Sequence, residues 1–281
     1  MTQTILDDQK GNALRFSGVR QFESKLDFAA FSAKYVVAGS ELYQINRRHY
    51  RVESGEYITG NASIESNITI DHPSVVKGIC VDVSRHFIEE IIAFEFGNNQ
   101  ELTSFILERE GMVNRFNTQH TQLGYAFRQL EQLFTANAPS AANSLNAEIF
   151  YTLAECIVKD HSLLFRQFQQ LKTVKIETSQ RLFDCIHEGR LYIDRHFLKP
   201  MNLAEISLQA HVSEYHFIRL FKQVVGVTPY QYLLHNRLQY AYELLIQGQK
   251  ANAVAELTGF ADLASFSKAF KQKFGISPSK A

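Results

Sequence analysis

Two stretches near the C-terminus carry the same pattern and decide the fold of that region. Residues 213–229 read SEYHFIRLFKQVVGVTP, and residues 262–278 read DLASFSKAFKQKFGISP. Phenylalanines, cations, glycines and prolines match in pairs that are each 49 residues apart: Phe217 and Phe266, Arg219 and Lys268, Phe221 and Phe270, Lys222 and Lys271, Gly226 and Gly275, and Pro229 and Pro278. The constant spacing predicts a tandem pair of similar structural units.

Each copy predicts an amphipathic helix with one buried and one exposed face. At 100° per residue, the predicted buried side chains are Phe217, Leu220, Phe221 and Val224 in the first copy, and Phe266, Ala269 and Phe270 in the second. The predicted exposed side chains are Tyr215, Ile218, Arg219 and Lys222, and then Ala264, Ser267, Lys268 and Lys271. Such an exposed face suits a DNA major groove. Either helix alone is more typical of a solvated face in a helical bundle.

Helix signals flank both copies and favour the DNA-binding interpretation. Asn202 with Glu205 has the spacing of a capping box, Ser213 and Asp262 precede the two repeated helices, and Thr228 stands before Pro229. These signals predict helices over 181–196 and 251–258 and a helix of 19 positions connecting the copies, which is ~28 Å long at ~1.5 Å per residue. Successive major-groove faces lie ~34 Å apart. One chain can therefore address two adjacent groove segments.

The region also resembles a known family. Residues 180–281 are similar to the DNA-binding domain of the AraC/XylS family of bacterial transcription regulators, on the stretches 196–203, 212–222, 226–233, 237–245, 254–255, 259–260 and 266–278. The resemblance implies a domain of seven helices with two helix–turn–helix units. It also implies binding to promoter double-stranded DNA and activation of transcription through RNA polymerase.

We predict two kinds of DNA contact. Base-facing residues are Tyr215, Ile218, Arg219, Ala264, Ser267 and Lys268. Phosphate-contacting residues are Ser213, Lys222, Arg237 and Lys271. Lys222 and Lys271 belong to the second group because the N-terminal part of a recognition helix lies closest to the bases.

The N-terminal half has the period-2 pattern of short β-strands. The predicted strands cover 31–37, 41–45, 49–52, 56–59, 63–70 and 75–83, and turn residues such as those at 46–48 separate them. The pattern indicates a small antiparallel sandwich or barrel, and residues 43–57 resemble the cupin-like β-barrel that many family members use to sense effectors. A helix over 85–96, capped by Ser84, should follow. The predicted fold class is α+β, with a regulatory domain at 1–175 and the DNA-binding domain at 176–281.

A second amphipathic stripe leaves two interpretations open. Leu123, Phe127, Leu130 and Phe134 recur at helical spacing before the loop at 136–142. They pack either against the β domain of the same chain or in an antiparallel homodimer. Two interpretations of the signal for the regulatory domain also remain open. The domain binds either a small-molecule effector or a regulatory protein, and in the second case it binds no small molecule.

Composition excludes several other classes. The chain has 281 residues, 45% hydrophobic and 21% charged, as expected for two folded domains. Residues 1–175 have net charge −3 and residues 176–281 have +3, which fits an anion-binding C-terminal module. Its N-terminus has no signal sequence, so we expect a cytoplasmic protein with no membrane partner.

No catalytic or metal constellation stands out in the sequence. His49 has only Glu53 and Glu56 nearby and is interpreted as a strand-edge histidine. Cys80, Cys156 and Cys185 show no metal-ligand spacing and are interpreted as buried core residues. We therefore expect neither enzyme activity, nor a metal, nor a cofactor.

Overall fold

The computed structural model describes residues 2–45, 48–109, 113–136, 145–171 and 176–281. The chain divides into two compact units, Met1–Arg166 and Gln167–Ala281. The predicted turn at 46–48, the predicted loop at 136–142 and the predicted boundary at 175–176 each fall wholly or partly outside the described residues.

An antiparallel sheet forms most of the first unit. Its eight described strands are β1 (Thr2–Asp7), β2 (Ala13–Asp27), β3 (Phe31–Ala38), β4 (Ser40–Ile45), β5 (Arg48–Glu53), β6 (Glu56–Asn61), β7 (Glu65–Val83) and β8 (Asn114–Asn117). The strand order is β1-β2-β7-β3-β6-β8, and β4 pairs with both β5 and β7. The fold class is confirmed: an antiparallel sheet comes first and helices follow.

Strand β7 corrects one prediction. We expected two strands separated at Pro73, but a single strand of 19 residues runs through it. Its pairing with β2 shifts register between Val19 and Gln21, opposite the segment that contains Pro73. A bulge tolerates proline because the ladder hydrogen bonds are already interrupted there. The predicted strands do not include β1, β2 or β8.

One face of the sheet encloses an apolar core. A single cluster collects Val36, Tyr43, Ile45, Val52, Ile58, Ile68, Ile70 and Val76 from five strands. Strand β7 allows this because its first half pairs with β4 and its second half with β3. Side chains of alternate residues point to the same face of a strand, so the members of this cluster define the inward face.

Four described helices complete this part of the chain: α1 (Arg85–Phe96), α2 (Gln100–Leu107), α3 (Gln122–Ala136) and α4 (Ile149–Gln169). Ser84 occupies the N-cap of α1, but its hydroxyl does not make the capping hydrogen bond that we predicted. Asn12 takes part instead, since its Oδ1 accepts from the Ser84 backbone N–H at 2.7 Å.

The stripe on α3 packs against its own sheet. The Phe127 ring lies 5.2 Å from Tyr35 and 5.3 Å from Tyr57, and Phe134 lies 5.7 Å from Phe16. All four stripe residues are buried. Of the two interpretations, intramolecular packing is therefore correct, and this stripe is not a dimer seam.

The second unit is helical. From Ile176 onward it contains α5 (Ile176–His196), α6 (Leu203–Gln209), α7 (Glu214–Val225), α8 (Pro229–Ile246), α9 (Ala251–Leu257), α10 (Leu263–Phe274) and a 3₁₀ helix (Pro278–Lys280). These make seven helical segments. Among the described residues, no helix combines the length and the apolar character needed to cross a membrane.

Candidate nucleic-acid interface

Two helix–turn–helix units lie before and after the long helix α8 in the chain. In the first helix–turn–helix unit, Phe217 and Phe221 of α7 lie side by side, with ring centroids 5.3 Å apart, and Phe221 packs against Tyr232 of α8 at 5.6 Å. The second helix–turn–helix unit and α8 share one buried cluster, formed by Leu238, Ala241, Leu244, Leu245, Val254, Ala255, Phe266 and Phe270. Each repeated phenylalanine pair thus anchors its own helix.

Hydrogen bonds between buried side chains hold the first helix–turn–helix unit against α8. Asp194 of α5 accepts from the Tyr232 hydroxyl at 2.9 Å and from Asn236 Nδ2 at 2.8 Å. Burial raises the pKa of the Tyr232 hydroxyl, and the Asp194 carboxylate raises it further, so the hydroxyl remains a donor. These bonds join α5 to α8, and the ring contact between Phe221 and Tyr232 joins α7 to the same helix.

Caps define where the helices begin. Thr228 and Gln231 form a complete capping box, with Thr228 Oγ1 accepting from Gln231 N–H at 3.2 Å, and Pro229 follows at the first helical position. The Asp262 carboxylate accepts from the Ser265 N–H at 2.7 Å, a bond that lowers the pKa of Asp262. Ser213 occupies the N-cap of α7 without a capping hydrogen bond, so its hydroxyl is available to another partner.

The predicted buried face of α7 is confirmed, whereas Ile218 was predicted to be exposed. Its buried residues are Phe217, Leu220, Phe221 and Val224. Tyr215 is 78% exposed, Arg219 and Lys222 are exposed, and Ile218 is half-buried. His216, which the sequence interpretation did not select, is also exposed and borders Arg219 on the helix surface.

Helix α10 exposes a second face, which carries smaller side chains than that of α7. Phe266 and Phe270 are buried, while Ala269, predicted to be buried, is only half-buried. Ala264, Lys268 and Lys271 are exposed and Ser267 is half-buried. The helix carries Lys268, Lys271 and Lys273 with no acidic residue, so its charge favours an anionic partner.

Four cations are free to contact DNA. Within the described residues, the side chains of Arg219, Lys222, Lys268 and Lys271 form no hydrogen bond and no ion pair. Arg237 differs, because its guanidinium donates to the carbonyl oxygens of Phe197 (2.7 Å), Lys199 (3.0 Å) and Gly259 (3.2 Å). This geometry favours a structural role for Arg237 over the phosphate contact that we predicted.

Comparisons with known proteins find several chains that are similar to this one. A helix-turn-helix domain model matches residues 206–281. The probable transcriptional regulator LumQ of Photobacterium leiognathi is 31% identical over 172 residues, which are 60% of this chain and 64% of that protein. The HTH-type transcriptional regulator YisR of Bacillus subtilis is 26% identical, over 89% of this chain and 85% of its own. The solved structure of ToxT from Vibrio cholerae, bound to an unsaturated fatty acid, is 12% identical, with a TM-score of 0.39 over 98% of this chain and 96% of ToxT.

Residues 206–281 therefore form a helix–turn–helix domain, and the chain is similar to transcriptional regulators. Within that class the chain carries the AraC-type DNA-binding domain, as the family resemblance implied.

Proposed function

We propose that this protein binds one promoter site with both helix–turn–helix units and activates transcription. One observation carries the proposal: two similar helices with exposed cations, α7 and α10, lie on either side of the connecting helix α8 along the chain. Helix α8 has 18 residues and is therefore ~27 Å long. That length is comparable to the ~34 Å between successive major-groove faces.

The two helices have different contributions in this proposal. In α7, Tyr215, Ile218 and Arg219 contact bases, because an aromatic ring, a branched apolar side chain and a guanidinium can distinguish base edges. In α10, the base-facing residues Ala264, Ser267 and Lys268 offer fewer discriminating groups. Helix α10 therefore contributes more to position than to sequence preference.

Phosphate contacts hold this arrangement on the duplex. Lys222 and Lys271 lie one turn further along their helices, and the Ser213 hydroxyl stands at the exposed start of α7. Amides and hydroxyls at helix N-termini are common phosphate ligands. RNA polymerase is the partner through which activation proceeds.

We assign regulation to residues 1–175, with 176–281 as the DNA-binding domain. A cavity of about 320 Å³ opens among strands β2, β3, β4 and β7, beside the apolar core. Pockets of this size hold small ligands. The cavity favours a small effector as the signal.

A protein signal is the second candidate, and a different surface favours it. An apolar groove of about 630 Å³ lies between α3 and α4, with Tyr125, Leu133 and Leu163 exposed along it. Exposed apolar patches on such faces are typical of protein contacts. A regulatory protein or a second copy of the chain is the kind of partner that fits this surface.

Selection from random duplexes, followed by hydroxyl-radical footprinting of the purified full-length protein, tests the DNA-binding proposal. We expect two protected groove segments about one helical turn apart for each protein bound. A single protected segment, or equal affinity for selected and scrambled duplexes, would contradict it. Transcription in vitro with purified RNA polymerase then separates activation, expressed as more transcript, from repression.

A further inference from the structure

A row of polar side chains crosses the inward face of the β domain. The register aligns Arg15 of β2 with Cys80 of β7, and Cys80 with Lys34 of β3. Lys34 is two residues from Val36, and Cys80 is four residues from Val76, so both point to the face that contains the apolar core. The cavity of about 320 Å³ is lined by all three side chains of this row.

Strand β4 also contributes to the lining of the cavity. Glu41 and Tyr43 line it, and the Tyr43 hydroxyl donates to the Glu41 carboxylate. Burial raises the pKa of Glu41, although this hydrogen bond and the charge of Lys34 oppose the change. Apolar side chains supply much of the remaining lining: Val19, Phe22, Ile68, Ile70 and Ile79. The cavity is thus apolar with one polar end.

Gly78 lines the cavity and has no side chain to fill it. A Cβ atom at this position would lie 3.1 Å from Ser17 Oγ and 3.3 Å from Glu41 Oε1. Both distances are shorter than ordinary van der Waals contacts, so a side chain at this position would displace Ser17 or Glu41. The absence of a side chain at Gly78 keeps room next to Lys34 and Cys80.

The ammonium group of Lys34 has three donors, and only one of them makes a hydrogen bond within the part of the chain that the structure describes. Its Nζ donates to Cys80 Sγ at 3.2 Å, and a thiol is a weak acceptor. Among the described residues, no carboxylate lies within the 4.0 Å of an ion pair with Lys34. Burial lowers the pKa of Lys34, but Cys80, Asp82 and Glu41 outweigh that effect and raise it, so the group is charged at neutral pH.

The other cation of the row already has a partner. Arg15 forms an ion pair with Asp82, whose second oxygen accepts from the Ser32 hydroxyl at 2.5 Å. Lys34 therefore has unused donors inside a cavity, where a charge is stable only when it is paired. Burial favours the neutral form of the Glu41 carboxyl, so the charge of Lys34 is available. One positive charge matches an anion of charge −1 better than a phosphate monoester, which carries nearly twice that charge at neutral pH.

We propose that the β-domain cavity binds a small amphipathic carboxylate, whose carboxylate group accepts hydrogen bonds from Lys34 and whose apolar body lies along Phe22, Ile68 and Ile70. This inference rests on the proposed role of a small effector and specifies its chemical class. The ligand replaces the weak thiol contact of Lys34 with a charge-assisted hydrogen bond.

Calorimetric titration of the full-length protein with octanoate, octanamide and octylamine tests the proposal, because the three compounds share a chain length and differ in charge. We expect octanoate to bind at least tenfold more tightly than octanamide and octylamine to bind weakest. The comparison on the wild-type protein requires no substitution and so does not depend on whether a variant folds.

Three variants localise the effect. Lys34→Met should abolish the preference for octanoate over octanamide, and Lys34→Arg should retain it. Lys77→Met removes an exposed lysine from the same sheet and should leave the preference unchanged. Circular dichroism of each variant confirms that it is folded.

The outcomes separate this inference from the proposed function. Equal binding of octanoate and octanamide, or a preference that survives in Lys34→Met, overturns the carboxylate assignment and leaves a small effector in place. Binding of none of the three compounds overturns the assignment and removes the support that the cavity gives to a small effector. Neither result affects DNA binding, which footprinting tests independently.

Discussion

Arg237 Nε donates a 2.7 Å hydrogen bond to the carbonyl oxygen of Phe197, and so links α8 to the segment that follows α5. The same guanidinium reaches the carbonyl oxygens of Lys199 and Gly259. The Arg237 side chain is half-buried, and this burial lowers its pKa. One side chain therefore joins both helix–turn–helix units to the helix that connects them.

Substitution of Arg237 should destabilise the domain. We expect Arg237→Ala to lower the free energy of unfolding by about 1–3 kcal/mol, because three carbonyl groups lose a charged donor. Arg237→Lys should recover little, since one ammonium group cannot reach three carbonyls as the planar guanidinium does. Urea unfolding of the full-length protein measures both effects, with the exposed Lys222→Ala as the control. Unchanged stability in Arg237→Ala, together with weaker DNA binding, would restore the phosphate-contact interpretation.

Arg219 and Lys222 should differ in what they contribute to DNA binding. Arg219→Ala should weaken binding to a selected duplex by about 1–3 kcal/mol and relax base preference at one position. Lys222→Ala should weaken binding to all duplexes alike, and reduce the slope of log affinity against log salt concentration by about 0.9. Fluorescence anisotropy with single-base variants of the duplex measures both quantities. If Arg219→Ala weakened all duplexes equally, Arg219 would be a phosphate contact.

The helices of the C-terminal domain could be predicted from the sequence because the signals that begin and end them are local. Asn202, Thr228 and Asp262 each satisfy a backbone N–H within three residues of themselves. The burial of Phe217 and Phe266 follows from helical periodicity in the same way. A cap or a helix face depends on a short stretch of chain, so one sequence contains the necessary information.

The cavity could not be predicted because it depends on strand register. Arg15, Lys34 and Cys80 are far apart in the sequence and meet only because β2, β7 and β3 pair in that order. A shift of one residue would turn each side chain to the other face. For this reason Cys80, interpreted from the sequence as an ordinary core residue, is a half-buried thiol beside a lysine.

Gly189 of α5 should be essential for the position of α7. A Cβ atom there would lie 2.4 Å from Cε2 of Phe217, which is fully buried. We expect Gly189→Ala to lower the free energy of unfolding by about 1–3 kcal/mol through overpacking and to weaken DNA binding. The double variant Gly189→Ala with Phe217→Leu should recover part of the loss, because the smaller side chain makes room. Purely additive losses in urea unfolding would contradict the contact.

His161 should make the β domain sensitive to acid. The ring is buried against Phe31, with centroids 5.0 Å apart, and its Nδ1 contacts the Ile157 carbonyl oxygen at 2.8 Å. Burial lowers the pKa of His161 to about 4. The unfolded chain has a histidine pKa near ~6.5, so below that pH the unfolded state binds a proton that the folded state does not.

Stability should therefore be fully present above pH ~6.5 and lost as the pH falls toward 4, by about 3 kcal/mol in total. His161→Gln keeps a polar side chain and removes the titration, so its stability should depend less on pH over this range. Urea unfolding of both proteins at pH 7, 5.5 and 4.5 measures the difference, in which the contribution of the carboxylates cancels. Parallel pH profiles would mean that His161 has the same pKa in the folded and unfolded states, which contradicts the prediction.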